Sequence, residues 1–129
     1  MIAQSHFRFR LDTGSGVPVY RQIIDQVQAG IATGILNVGR QLPTVRQVAV
    51  DLAINPNTVM RAYRELEIRG VLDTQQGTGT FIAPQRQQIG DDDDRARRLG
   101  QLIDDFAARA GAGGFTLEEI LQGLKERGK

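Results

Sequence analysis

The chain contains no cysteine and no tryptophan, one histidine, two lysines and no long apolar run. Without cysteine there is no disulfide scaffold, no thiolate zinc site and no thiol nucleophile. His6 is the only imidazole, so a Ser/His/Asp triad would have to be built on one residue beside the terminus. A membrane-crossing helix needs about 18–20 apolar residues, and the opening MIAQSHFRFR also lacks a signal-type apolar stretch. A soluble cytoplasmic protein with no membrane partner is therefore expected. At 129 residues the chain can hold one domain, or a small domain with an appendage, and a cofactor barrel of ~250 residues does not fit.

Net charge is only +1 over the whole chain, but the charges are unevenly placed. Residues 1–84 carry eight arginines against six acids, whereas residues 85–129 carry eight basic groups against nine acids. Both lysines, Lys125 and Lys129, lie in the second part. Every cation of the first part is thus an arginine, the side chain whose planar fork suits phosphates and guanine edges.

Phe7, Phe9 and Leu11 alternate with charged residues, which predicts a short half-buried strand that DTGSG then ends. From Pro18, apolar residues at Tyr20, Ile23, Ile24, Val27 and Ile31 follow helical spacing up to a stop at Gly34. Thr44 and Gln47 read as a capping box before Val45, Val48, Ala49 and Leu52. Asn55 caps a third helix over ~56–69, with Pro56 at its first position and Gly70 at its end. Its buried stripe is Val59, Ala62, Tyr63 and Leu66. Two short helices joined within two or three residues form a helix-turn-helix. VLDTQ and TFIA around Gln76 to Gly79 form a hairpin.

Gln85 to Asp94 is polar and reads as a linker. Leu99, Leu102, Ile103, Phe106 and Ala110 predict a fourth helix over ~93–110, and residues 110–114 a flexible break. A second capping box, Thr116 with Glu119, opens a last helix bearing Leu117, Ile120, Leu121 and Leu124. Two amphipathic helices of this size bury too little surface to stand alone. A second copy of the chain is the expected cover, through Leu99, Leu102, Ile103, Phe106, Leu117, Ile120, Leu121 and Leu124.

On the third helix, the face opposite the buried stripe holds Asn57, Met60, Arg61 and Arg64. An amide can pair with adenine and a guanidinium with guanine, and a helix fits the major groove of B-DNA. Taken alone this could be an ordinary solvated face. The order strand, helix, helix-turn-helix, hairpin is however the layout of a winged-helix DNA-binding domain.

Residues 17–83 resemble the N-terminal domain of GntR-family bacterial transcription regulators. The matching landmarks are Pro18-Val19-Tyr20-Arg21-Gln22-Ile23, Gly34, Gly39, Leu42-Pro43-Thr44-Val45-Arg46, Asn57-Thr58-Val59, Ala62-Tyr63, Leu66-Glu67, Gly70 and Gly77-Thr78-Gly79-Thr80-Phe81. The short tail is similar to that of the YtrA-like subfamily. The resemblance implies a mainly α fold with a small β-sheet: a winged helix-turn-helix over residues 1–84 and a linker with a helical dimerisation region over 85–129. It implies a sequence-specific, homodimeric regulator, most often a repressor, bound to a palindromic double-stranded operator. In the family the arginine matching Arg46 contacts DNA from the start of the second helix. Thr44 would cap that helix and offer its hydroxyl or backbone N–H to a phosphate. Asn55, Asn57, Thr58, Arg61, Arg64, Gly77 and Thr78 complete the expected DNA-binding set. Relatives often carry arginine where this chain has Pro56, and a basic residue where it has Met60. Their wing usually has a basic residue beside its first glycine, whereas Gln75, Gln76 and Thr78 are neutral.

Other readings are weaker. Asp91 to Asp94 diverge on a helix whose dipole already favours acids at that end, so no metal is expected there. Gly77-Thr78-Gly79 lacks the lysine and helix of a phosphate-binding loop. A winged helix used only to bind proteins would have little use for the arginines of the third helix. The aminotransferase fused to one branch of the family has no counterpart here, so neither an enzyme nor a cofactor is expected. An unknown small-molecule effector would need a pocket of ~300–1,000 Å³, which a tail of this length can offer only across a dimer interface.

Overall fold

The computed structural model describes residues 7–84 and 92–128, and the chain falls into two units, Met1–Gln85 and Arg86–Lys129. His6 and residues 85–91, which include most of the expected linker and Asp91, lie outside the described residues.

In the first unit, α1 (Val19–Ala32) buries Ile23, Ile24 and Val27. The chain leaves it through Gly34 at φ +84°, a conformation glycine adopts without steric cost. The predicted capping box opens α2 (Val45–Leu52). Gln47 donates its backbone N–H to Thr44 Oγ1 at 3.1 Å, and Thr44 donates its own to Gln47 Oε1 at 2.9 Å. Asn55 caps α3 (Pro56–Ile68) by accepting the Asn57 N–H at 2.8 Å, with Pro56 at the first position where no donor is needed. Between the two helices Ala53 adopts the left-handed conformation, φ 55° and ψ 48°. A residue with a Cβ loses about 1–2 kcal/mol there, and nothing in the local sequence announces it.

Strands β1 (Leu72–Gln75) and β2 (Gly79–Ile82) form an antiparallel hairpin in which Leu72 faces Ile82 and Gln75 faces Gly79. Its turn is closed by Thr78 N–H donating to Gln75 O at 3.1 Å. Residues 40–42 extend this ribbon, a pairing that periodicity did not reveal. Leu42 N–H donates to Thr80 O at 2.8 Å and Ile82 N–H to Arg40 O at 2.9 Å. Side chains from α1, α2, α3 and the hairpin meet in one core that includes Leu36, Leu42, Leu66 and Ile82. Gly30 allows Leu36 into it: a Cβ there would lie 2.8 Å from the leucine side chain.

The expected strand over residues 7–11 is a correction. Its alternation holds, with Phe9 buried and Arg8 and Arg10 exposed, but it is assigned to no strand. Among the described residues no strand pairs with it. Two glutamines one turn apart on α1 take that place. Gln26 accepts the Arg10 N–H at 2.8 Å and donates to Arg10 O at 2.6 Å; Gln22 accepts the Asp12 N–H at 2.8 Å and donates to Asp12 O at 3.0 Å. One helical turn of ~5.4 Å is close enough to two extended residues of ~6.6 Å for the amides to serve as a ladder. The Phe9 ring meets Phe7 edge-on at 4.9 Å between centroids.

In the second unit, α4 (Asp92–Ala112) and α5 (Leu117–Arg127) contain no buried residue. α4 runs through Gly111 to Ala112, beyond the expected end near 110. The expected flexible break is instead an ordered reversal, with Phe115 N–H donating to Ala110 O at 2.9 Å and Gly114 at φ +81°. The Thr116–Glu119 capping box opens α5 as predicted. Leu99, Leu102, Ile103, Phe106, Leu117, Leu121 and Leu124 are exposed, and Ile120 is half-buried. Among the described residues no helix is long and apolar enough to cross a membrane.

Candidate nucleic-acid interface

The outward face of α3 exists because its inward face is spent: Val59, Ala62, Tyr63 and Leu66 are all buried. Tyr63 closes the core beneath the helix-turn-helix by donating its hydroxyl to Pro43 O at 2.6 Å. Burial raises its pKa well above the ordinary phenol value, so the hydroxyl stays protonated. That bond ties α3 to the residue just before the α2 cap.

Asn57, Arg61 and Arg64 lie exposed on the outward face together with Met60 and Ile68 and the half-buried Glu65, and the six line one shallow depression. Met60 is 45% exposed. Thr58 sits half-buried on the flank. The arginines there differ from their neighbours in pairing. Arg21 and Arg69 have i,i+4 partners in Asp25 and Glu65, whereas Arg46, Arg61 and Arg64 have no carboxylate within ion-pair distance among the described residues. Arg61 is nevertheless held: its Cζ lies 3.8 Å above the centroid of the Tyr20 ring on α1.

The two helix N-termini are unequal. At α3, Asn57 N–H and Thr58 N–H are taken by Asn55, and Pro56 has none. At α2, the N–H groups of Val45 and Arg46 have no acceptor among the described residues, the kind of helix end that can receive an anion. The expectation for Thr44 is corrected in part. Its backbone N–H is used inside the capping box, so only its hydroxyl proton remains for a phosphate. Asn55 likewise uses its side-chain oxygen as a cap.

Gly77 and Thr78 are exposed at the tip of the hairpin. Its position is set from two sides, by Gln41 donating to Thr78 O at 3.1 Å and Thr74 donating to Glu67 Oε1 at 2.7 Å. Gly79, at φ +138°, passes directly beneath the Gln41 amide. The first unit thus contains Thr44, Arg46, Asn55, Asn57, Thr58, Arg61, Arg64, Gly77 and Thr78. The contacts of Tyr20 with Arg61 and of Gln41 with Thr78 were not foreseen, because each spans a long sequence separation. Among the described residues no cluster of acids or histidine has a metal-binding arrangement.

Residues 19–82 match the family described as "Bacterial regulatory proteins, gntR family". The HTH-type transcriptional repressor YtrA of Bacillus subtilis is 37% identical over 120 residues, covering 91% of this chain and 89% of the relative. Among solved structures, YtrA from Sulfolobus acidocaldarius, a GntR-family transcription factor, superposes with a TM-score of 0.57 at 29% identity, covering 78% of this chain and 97% of that one. The DNA-binding domain of AraR in complex with operator ORX1 superposes with a TM-score of 0.53 at 25% identity, covering 60% of this chain and all of that one.

Proposed function

The chain belongs to the GntR family of bacterial regulatory proteins, DNA-binding transcriptional regulators rather than enzymes, and from this we propose that two copies of it bind one palindromic operator and repress transcription. The carrying observation is the outward face of α3, where an amide is joined by two arginines with no carboxylate partner among the described residues, together with an α2 N-terminus that has two vacant N–H groups. α3 enters the major groove. Asn57, Arg61 and Arg64 are its base-reading groups, and Met60 is suited to a thymine methyl. Arg46, the Thr44 hydroxyl and the α2 N-terminus take backbone phosphates, and Gly77 and Thr78 approach the backbone or minor groove from the wing. The tail supplies the two-fold contact through the exposed stripes of α4 and α5. Repression follows the similarity to the YtrA repressor, and the site of action is the cytoplasm. An effector of unknown identity would act across the dimer.

Footprinting on genomic fragments tests the reading. The expected result is protection of an inverted repeat with half-sites about one turn, ~10 bp, apart or a multiple of it. Protection of unrelated fragments with equal affinity would overturn it.

A further inference from the structure

We infer that Tyr20 is a positioning residue for base readout, its ring holding the Arg61 guanidinium on the outward face of α3 before DNA arrives. The inference rests on the reading of α3 as the recognition helix. Tyr20 stands in the first turn of α1, half-buried against the core, so its ring cannot swing freely. The guanidinium carbon lies 3.8 Å above that ring, and Arg61 has no hydrogen bond or ion pair among the described residues. The aromatic face is its partner. A guanidinium stacks through its faces, which carry no hydrogen, while its five N–H donors lie in the plane. Stacking on Tyr20 therefore uses none of the donors that a guanine edge accepts. An exposed arginine ordinarily orders its long side chain when it binds; here the ordering is already done in the free protein. Lysine would keep the charge and lose both the stack and the fork.

The chain offers a contrast on the same helix. Arg64, also exposed, has neither a carboxylate partner nor an aromatic ring beneath it among the described residues. Arg61 is thus the arginine prepared for one geometry, and Arg64 the adaptable one.

The test measures affinity of the full chain for its footprinted operator and for a panel of single-base-pair variants, with thermal melting of every protein. Tyr20→Leu removes the ring and keeps an apolar side chain. It should weaken operator binding about tenfold and flatten the preference at one base pair, the same one flattened by Arg61→Gln and Arg61→Lys, with no change in salt dependence because no charge on Tyr20 is lost. Tyr20→Phe should keep the wild-type profile. The double variant Tyr20→Leu/Arg61→Gln should match Arg61→Gln alone. If Tyr20→Leu lowers the melting temperature but leaves the base-pair profile unchanged, the ring only ties α1 to α3 and the inference fails. An unchanged profile in Arg61→Gln also overturns it. Absence of sequence preference in the wild-type protein would instead refute the proposed function itself.

Discussion

Charging the tail stripe should separate the protomers. Leu102 is 66% exposed and Phe106 51% exposed on α4, one turn apart on the same side of the helix. Fully covering a leucine or phenylalanine contributes about 1.5–3 kcal/mol, so covering the half to two-thirds left open here contributes about 1–2 kcal/mol each. A two-fold dimer loses every contact twice. Leu102→Glu together with Phe106→Glu therefore removes four side chains and about 4–8 kcal/mol, before any cost of burying carboxylates. At 1.4 kcal/mol per tenfold, the dimer dissociation constant should rise at least about a thousandfold. Sedimentation velocity over a wide concentration range reads this directly, and circular dichroism checks that the first unit keeps its helices. The monomers should bind operator far more weakly. A double variant that still sediments as a dimer at low concentration would place the interface elsewhere and refute the argument from the exposed stripe.

Three further outcomes are expected. Gly77→Ala, at φ +77° with open space around it, should cost about 1–2 kcal/mol of backbone strain. Gly79→Ala should cost more, because its Cβ also displaces the Gln41 amide that holds the wing; equal melting temperatures for the two would contradict this. Tyr63→Phe should lose about 1 kcal/mol with the bond to Pro43, or roughly 4–8 °C of melting temperature. Because burial raises the Tyr63 pKa, its contribution is intact below pH ~10 and lost as pH climbs beyond that, so wild type should weaken in alkali more than Tyr63→Phe. Finally, ~3–4 phosphates neutralised per subunit give a slope of log K against log salt of about −5 to −7, and Gln76→Arg should steepen it by about one unit per subunit. An unchanged slope would mean that the wing stands clear of the backbone.

What was legible in the sequence, and what was not, divides along one physical line. Helices α1 to α3 and the Thr44 and Asn55 caps depend on residues two to four apart, and their pattern is written within each segment. The outward face of α3 was equally legible, because it is the complement of a buried stripe that periodicity locates. Contacts between distant segments left no such mark. Residues 8–12 have the alternation of a strand, yet their hydrogen-bond partners are side chains of Gln22 and Gln26. Those glutamines look like ordinary polar positions on α1. Arg40 to Leu42 show no periodic pattern, yet they pair with β2. The same division crosses the candidate site. Asn57, Arg61 and Arg64 are found by helical spacing, but Arg61 is oriented by a ring forty-one residues upstream, and the wing by Gln41 from thirty-seven. The tail presents the limiting case: its stripes are fully legible, and the described residues of one chain leave them uncovered. Periodicity reports that a face must be buried, and only tertiary or quaternary packing decides by what. On the proposed reading the cover is a second copy, and the contact that completes the core would then also set the spacing of the two recognition helices.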